Sequence, residues 1–213
     1  MKESTYKILE ALINRYPMLD SVKESINDAY LLLENTYKNH GKVLVCGNGG
    51  SAADSEHIVG ELMKGFLLER KLDSKDISAF SEYENGENIA KGLQKGLPAI
   101  SLVSQSGLMT AFLNDCAPEL VFAQQIYTYM KPVDTLIALS TSGNSANVLN
   151  GAVTAKALGG KCIAVTGADG GRLSGTADCT IKLPSDKTFE IQEYTLPVYH
   201  CICAMLEEEF FGC

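Results

Sequence analysis

Two of the three histidines in this chain of 213 residues lie near polar side chains that could act with them. His57 and Glu61 are four residues apart in a segment with helical periodicity, so one helix face would present an imidazole and a carboxylate together. Such a pair can transfer protons, and this spacing lets one helix supply two metal ligands. On spacing alone, an exposed histidine and glutamate on a surface helix is the simpler interpretation. The scarcity of histidine favours a functional pair.

A second polar pair, Gln192 and His200, lies near the C-terminal end of the sequence. Eight residues of helix span about 12 Å, which is too far for both side chains to reach one ion comfortably from the same helix. Two explanations remain open: the helix is distorted, or His200 serves the site of a neighbouring subunit.

The first of two candidate binding loops is the glycine turn Cys-Gly-Asn-Gly-Gly-Ser, which follows an apolar run and precedes the helical segment of His57. In such a strand–turn–helix, backbone N–H groups and the helix dipole can hold an anion. The turn matches neither the dinucleotide fingerprint nor the P-loop, because it lacks both GxGxxG and Gly-Lys-Ser/Thr. We expect four residues to bind the anion: Asn48, Gly49, Gly50 and Ser51.

The second loop carries four hydroxyl groups around one glycine. They belong to Ser140, Thr141, Ser142 and Ser145. Hydroxyl groups at the beginning of a helix can bind a phosphate monoester without a cation. The alternative is that Ser142 or Asn144 only caps the following helix, but four hydroxyls in one turn favour binding. Both loops follow predicted strands, and open α/β sheets bind ligands at the carboxyl ends of their strands.

Five short apolar runs bounded by turn residues supply the elements that position these loops. The runs are residues 42–46, 99–103, 135–139, 161–165 and 179–183. Continuous apolar strands that alternate with helices are typical of a parallel sheet covered on both faces. We predict an α/β fold, a three-layer sandwich around a central five-stranded parallel sheet, in one compact unit over residues 42–213. Residues 68–95, which are polar and weakly periodic, form an excursion from it.

Residues 1–41 are predicted to form an N-terminal helical extension. One helical pattern precedes Pro17, and a second follows it with Val22, Ile26 and Leu33 on one face. Ser21 and Glu24 have the spacing of a capping box at the beginning of this second helix.

The composition is that of a globular protein, with 46% hydrophobic and 21% charged residues. A formal net charge of −8 disfavours a general nucleic-acid or membrane surface, because both attract basic faces. No apolar run approaches about 18 residues, and the first residues lack a signal-peptide pattern. The seven cysteines lack metal-binding spacing, so we expect reduced thiols in a cytoplasmic protein.

Four segments resemble the SIS (sugar isomerase) domain family, and most closely its bacterial phosphoheptose isomerases. They read CGNGGSAADSEHIVGEL, STSGNSANV, TGADGG and IQEYTLPVYH. STSGNS is typical of SIS domains in general, whereas the pairs His57 with Glu61 and Gln192 with His200 indicate the narrower group. The resemblance covers nearly the whole chain apart from the excursion. It implies interconversion of sedoheptulose 7-phosphate and D-glycero-D-manno-heptose 7-phosphate through an enediol.

The resemblance also implies roles for individual residues. Members of the family bind zinc at the positions of His57, Glu61, Gln192 and His200, and Glu61 and His200 are their proposed acid–base pair. Glutamine is a poorer zinc ligand than histidine or cysteine. The family forms homotetramers with active sites between subunits, which favours a His200 that serves a neighbouring chain. We therefore expect Glu61 and His200 of one working site to come from different chains.

Other positions bear on the substrate. Thr188 is a candidate partner for a sugar hydroxyl, with a helix N-cap as its alternative role. Gln192 is expected to contact the substrate as well as the metal. Where the family has a sugar-binding aspartate this chain has Ser104 and Gln105, and Thr195 replaces a further family histidine. We interpret TGADGG as a turn.

Two other functions remain possible for a chain with these loops. A non-catalytic SIS protein that senses a phosphosugar or binds a replication initiator would keep the hydroxyl loop but would need no Glu61–His200 pair. A glucosamine- or muramate-type phosphosugar enzyme would share the phosphate loop and place its acid–base groups elsewhere. Retention of both Glu61 and His200 favours the isomerase.

Overall fold

The computed structural model, which describes residues 1–212, contains a five-stranded parallel sheet. Its strands are β1 (Val43–Cys46), β2 (Ala99–Ser101), β3 (Thr135–Leu139), β4 (Lys161–Thr166) and β5 (Cys179–Lys182). Their spatial order is β2-β1-β3-β4-β5, and neighbouring strands pair in parallel. All five predicted strands are confirmed, β3 at its predicted bounds. Cys213, the last residue of the predicted domain, lies outside the described residues.

Helices cover both faces of the sheet. They are α1 (Glu3–Arg15), α2 (Lys23–Lys38), α3 (Gly50–Met63), α4 (Ser74–Ser78), α5 (Gly86–Gly92), α6 (Ser106–Asp115), α7 (Val121–Tyr129), α8 (Ala146–Ala157) and α9 (Thr188–Phe211). Strand residues alternate between two cores: Val43 and Val45 pack with α1, α2, α3 and α9, whereas Leu44 and Cys46 pack with α7 and α8. Every residue of β1 and β3 is buried. These layers confirm the three-layer α/β fold.

The N-terminal helices are joined by a 3₁₀ segment, Pro17–Val22, instead of the predicted capping box. Ser21 lies inside this segment, and α2 begins after Val22 without a side-chain cap. Pro17 begins the segment because its fixed φ suits the first position of a helix. The helical extension packs into the first core, where Leu9 and Ile26 are fully buried.

The excursion, residues 68–95, is anchored at its base. Lys71 and Gln94 form an antiparallel bridge, and the two short helices α4 and α5 lie between them. Arg70 and Glu207, which are 2% and 1% exposed, form an ion pair with 2.8 Å between Nε and Oε1. The Glu207 carboxylate also accepts hydrogen bonds from the backbone N–H groups of residues 66–68. These contacts join the excursion to α9.

Helix α9 carries Gln192 and His200 and extends over 24 residues. It continues through Pro197, which removes one backbone hydrogen bond from its early turns. The helix packs along α1 and α3. No helix within residues 1–212 combines the length and apolar character needed to cross a bilayer.

Candidate functional site

The glycine loop, residues 47–51, turns the chain sharply from β1 into α3. Gly49 has a φ of 57°, a left-handed conformation that side chains disfavour. Gly50 begins α3, and a Cβ at this position would lie 2.6 Å from Nε2 of Gln192. The two glycines therefore allow the turn and let Gln192 pack against the beginning of α3. A helix that begins in this way directs its first N–H groups and the positive end of its dipole toward an anion.

The hydroxyl loop, residues 140–145, connects β3 to α8. The Gly143 N–H donates to the Ser140 carbonyl at 2.9 Å and closes the turn. Ser140 Oγ donates to Ser145 Oγ at 3.1 Å, and Ser142 Oγ accepts from the Asn144 N–H at 3.2 Å. Ser145 precedes α8 without a side-chain capping bond. The hydroxyl of Ser142 thus bonds within the loop and does not cap the helix.

The TGADGG segment after β4 supports the hydroxyl loop. The Gly167 N–H donates to the Thr141 carbonyl at 2.8 Å, and the N–H of Leu173, two residues after the segment, donates to the Gly143 carbonyl at 2.9 Å. A Cβ on Gly143 would lie 2.1 Å from the carbonyl oxygen of Gly170. Interpreting the segment only as a turn missed this support, although its run of glycines is a signal of close backbone packing.

Asn48 of the glycine loop and Asn147 of α8 join the two loops through their side-chain amides. Each amide nitrogen donates to the oxygen of the other amide, both at 2.9 Å. The sequence reasoning missed Asn147, because it lies within a helical pattern and carries no charge. We call residues 48–51 and 140–145 the cradle, and this amide pair bridges its two halves.

Three ionisable side chains meet where α3 passes α9, and we call them the histidine cluster. His57 Nε2 lies 3.2 Å from Glu61 Oε1 and 3.4 Å from His200 Nε2. The side chain of His57 is 44% exposed and that of Glu61 is 13% exposed. Burial lowers the pKa of His200, and the neighbouring His57 acts in the same direction while Glu61 opposes it. A neutral imidazole is thereby favoured, which can accept a proton or bind a metal.

The three side chains of the histidine cluster meet within one chain, so Glu61 and His200 can lie at one site without the second subunit that the sequence analysis expected. Gln192 is the residue set apart. Its amide packs on Gly50, seven residues and about 10 Å before His57 along α3. The residues Gln192 and His200 therefore meet different turns of α3. The predicted distance between Gln192 and His200 along α9 was correct, but the neighbouring helix α3 brings Glu61 close to His200.

Comparison with known proteins covers nearly the whole chain. One SIS domain model matches residues 107–204, and a second matches residues 11–90. A phosphoheptose isomerase from Helicobacter pylori is 38% identical over 192 residues, which cover 90% of this chain and 88% of that protein. This chain belongs to the SIS domain family.

The match to SIS proteins extends to further relatives and to solved structures. A phosphoheptose isomerase from Alkalilimnicola ehrlichii is 34% identical over 206 residues, covering 95% of this chain and 93% of the relative. The structure of a phosphoheptose isomerase from Francisella tularensis superposes with a TM-score of 0.75 at 27% identity and covers 98% of this chain and 100% of that one. The second SIS domain model spans α2 and much of the excursion.

The donors of the histidine cluster fit zinc by type and by spacing. Two imidazoles and a carboxylate are common zinc ligands, and neighbouring ligands of a tetrahedral zinc lie about 3.4 Å apart. The two distances in the cluster are close to this value. Within residues 1–212, no three His, Cys, Asp or Glu side chains already surround one metal position. Binding would therefore require these side chains to rearrange, and Gln192 of the same chain packs at Gly50, on another turn of α3.

Three positions singled out in the SIS comparison have defined surroundings. Ser104 donates to the Glu56 carboxylate at 3.0 Å. Thr195 is buried, and its hydroxyl donates to the backbone carbonyl four residues earlier at 2.8 Å. Thr188 is the first residue of α9 and Lys187 is its N-cap, so the capping alternative for Thr188 is wrong. A contact between Thr188 and sugar stays a prediction.

Proposed function

We propose that this SIS domain is a phosphoheptose isomerase, which interconverts sedoheptulose 7-phosphate and D-glycero-D-manno-heptose 7-phosphate. One observation supports this most directly: the single helix α3 begins at the cradle and carries His57 about two turns and Glu61 about three turns later. A seven-carbon sugar phosphate has its phosphate and its carbonyl at opposite ends. Like the phosphate and the carbonyl of that sugar, the cradle and the histidine cluster lie apart, by about 10 Å along α3.

The cradle binds the phosphate group. Its hydroxyls and the first backbone N–H groups of α3 are donors that need no cationic side chain. The donors belong to Gly49, Gly50, Ser51, Ser140, Thr141, Ser142 and Ser145. Binding at this end orients the sugar so that its carbonyl points along α3 toward the cluster.

The histidine cluster transfers the protons. Glu61 takes the proton from C2 of the heptose, while His200, as a neutral imidazole, takes the proton of the C2 hydroxyl and passes it to the C1 oxygen, which gives the enediol in its singly ionised form. In the second half, Glu61 returns its proton to C1 and the carbonyl forms at C2. Zinc, held by His57, Glu61 and His200 with Gln192 as the fourth predicted ligand, would polarise the sugar carbonyl.

A homotetramer with active sites between subunits is part of the proposal. Within one chain Gln192 lies with the cradle, so a zinc site with four ligands needs Gln192 from a neighbouring subunit. A groove of about 390 Å³ between α1 and α9 opens beside His200. Its lining is largely apolar and includes Ile8, Leu12, Phe66, Leu196 and Pro197. A second copy of the chain seated in this groove would bury these side chains next to the cluster.

Mixed oligomers test whether Gln192 of a site comes from a different subunit than its Glu61 and His200. Mixing Glu61→Gln with His200→Ala subunits should restore no activity, because every cluster in the mixture would lack one group. Mixing Glu61→Gln with Gln192→Ala subunits should restore part of it, because some sites would combine an intact cluster with an intact Gln192. Recovery in the first mixture, or none in the second after subunit exchange is demonstrated, would contradict this arrangement.

The activity itself is tested with a panel of six- and seven-carbon sugar phosphates, with and without added zinc. We expect conversion of sedoheptulose 7-phosphate by the wild-type protein and none by Glu61→Gln. Tight binding of a sugar phosphate without conversion would indicate a phosphosugar-binding regulator instead of an isomerase. We place the enzyme in the cytoplasm, where sugar phosphates occur and where the six described cysteines, all free, stay reduced. The acidic net charge of −8 argues against nucleic-acid or membrane partners.

A further inference from the structure

Tyr199, next to His200 in the sequence, reaches behind His57. Its hydroxyl oxygen lies 2.8 Å from His57 Nδ1 and 3.3 Å from Asp54 Oδ1. Its ring packs edge-on against both imidazoles, with centroid distances of 5.4 Å to His57 and 4.9 Å to His200. Tyr199 itself is buried. The hydroxyl therefore sits between the far nitrogen of His57 and a carboxylate, on the side away from Glu61.

The single proton of the Tyr199 hydroxyl allows two arrangements. In the first, Tyr199 donates to Asp54 and accepts from His57 Nδ1–H, which leaves a lone pair on Nε2. In the second, Tyr199 donates to Nδ1, and Nε2 carries a proton that it donates to Glu61 Oε1 at 3.2 Å. The two arrangements thus present opposite forms of His57 to the centre of the cluster.

Asp54 decides between them. An ionised carboxylate can only accept hydrogen bonds, and in the described part of the chain the partner of the Asp54 side chain is the Tyr199 hydroxyl. The first arrangement gives this carboxylate its donor and uses the Nδ1 proton as well. The second leaves the half-buried charge of Asp54 without a donor, which costs free energy. Glu61 loses the His57 donor in the first arrangement but keeps another one, because Lys64 Nζ donates to its Oε2 at 3.2 Å.

We infer that Tyr199 and Asp54 are positioning residues that hold His57 as the Nδ1–H tautomer, with its Nε2 lone pair directed at Glu61 and His200. The His57 lone pair and the Glu61 carboxylate then face the same region, which suits a cation or a proton delivered between them. The inference deepens the proposed function. It rests on that function only where it concerns the catalytic use of the cluster. The tautomer itself can be measured without substrate or metal.

Nitrogen NMR of the metal-free protein, labelled in its histidine rings and kept at a pH where they are neutral, reports the tautomer. The chain has three histidines, so few signals need assignment. We expect His57 to show a protonated Nδ1 and an unprotonated Nε2 in the wild type. In Asp54→Asn the neutral amide can accept from the Tyr199 hydroxyl or donate to it, so the preference set by the carboxylate is lost and the Nε2–H form of His57 should increase. Tyr199→Phe should shift the population in the same direction.

Tyr194→Phe is the matched control, because Tyr194 is a partly buried tyrosine on the same helix. It should leave the His57 signals as in the wild type. A wild-type His57 protonated at Nε2, or an unchanged tautomer in both Asp54→Asn and Tyr199→Phe, would overturn the inference. Asp54→Asn preserves the side-chain shape, so it decides the matter even where Tyr199→Phe loosens the packing.

Zinc titration, with zinc alone as the probe, gives a second readout. Loss of a group that orients a metal-binding histidine typically weakens binding by about 10–100-fold. We expect a loss of this size in Tyr199→Phe relative to Tyr194→Phe, and equal affinities would count against the positioning role. An absence of isomerase activity would refute the proposed function, and the tautomer measurement would still decide the inference.

Discussion

The cradle and the histidine cluster both include residues of α3 but are built in different ways. The cradle consists of backbone and short side chains in two loops, and main-chain hydrogen bonds such as Gly143 N–H to Ser140 fix its shape. The cluster consists of three longer side chains on two helices, and Tyr199 contacts two of them. Loss of one side chain should therefore weaken the cradle in part, whereas loss of one group should disable the cluster.

The largest expected effect comes from the cluster. Glu61→Gln keeps the shape of the side chain but removes the base, so turnover should fall by about 10²–10⁴-fold and exchange of the C2 proton with solvent should stop. Sugar-phosphate affinity should change little, because the cradle is intact. The matched control is Glu56→Gln on the same helix, whose carboxylate bonds to Ser104. Turnover close to wild type in Glu61→Gln would assign Glu61 a structural role.

The next effect concerns the anchor of the excursion beside the cluster. Glu207→Gln leaves the buried Arg70 without its counter-charge, so the free energy of unfolding should fall by about 3–5 kcal/mol. Arg70 also donates to the backbone carbonyls of Glu61 and Leu62, at the end of α3. Turnover should therefore fall while phosphate affinity is retained. Urea unfolding and steady-state kinetics measure the two quantities.

Glu87→Gln provides the control for this anchor, since the pair of Glu87 with Lys91 lies on the surface of the same excursion. We expect no measurable change in its stability, because exposed ion pairs contribute little. If Glu207→Gln and Glu87→Gln unfold at the same urea concentration, the buried pair is not an anchor.

A smaller effect is expected in the cradle. The double variant Ser142→Ala and Ser145→Ala removes two of its hydroxyls, and the affinity for sugar phosphate should fall by at least about tenfold, since each hydrogen bond to a charged group is worth about 1.5–3 kcal/mol. Stability should be nearly unchanged. Thr154→Ala on α8 is the control, because its hydroxyl donates to the Asn150 carbonyl of the same helix. Unaltered affinity in the double variant would show that the phosphate does not bind at this loop.

The smallest effect is expected at the bridge between the two loops. Asn147→Ala breaks the exposed amide pair with Asn48, so sugar-phosphate affinity should fall by only a few-fold, in line with about 0.5–1.5 kcal/mol for a neutral hydrogen bond. Calorimetric titration with sugar phosphate measures this change. Tighter binding in Asn147→Ala would show that the pair competes with the ligand.

The sequence predicted the sheet and the cradle better than it predicted the cluster. Unbroken apolar runs mark buried parallel strands, and loops that follow such strands fall at one edge of the sheet, so both could be inferred from local pattern. Arg70 with Glu207 and Asn48 with Asn147 are 137 and 99 residues apart in the chain. Such pairs leave no local signal, because only the packing of distant elements brings them together.

The expectation about His200 lacked the same kind of information. The distance along one helix is fixed by its rise per residue, and that part of the reasoning was correct for Gln192 and His200. The sequence did not show that α9 packs against α3. Along α3, Gln192 contacts Gly50 and His200 contacts His57.

The late position of Glu207 has a consequence for synthesis of the chain. Arg70 leaves the ribosome 137 residues before its partner, which is roughly 7 to 27 seconds at about 5–20 residues per second. During that interval the base of the excursion lacks its counter-charge, and the nascent chain lacks both Tyr199 and His200. The two loops of the cradle are complete once Ser145 has been synthesised, before any residue of α9. The nascent protein thus acquires its anion-binding end before its proton-transfer end, and α9 completes both the excursion and the cluster last.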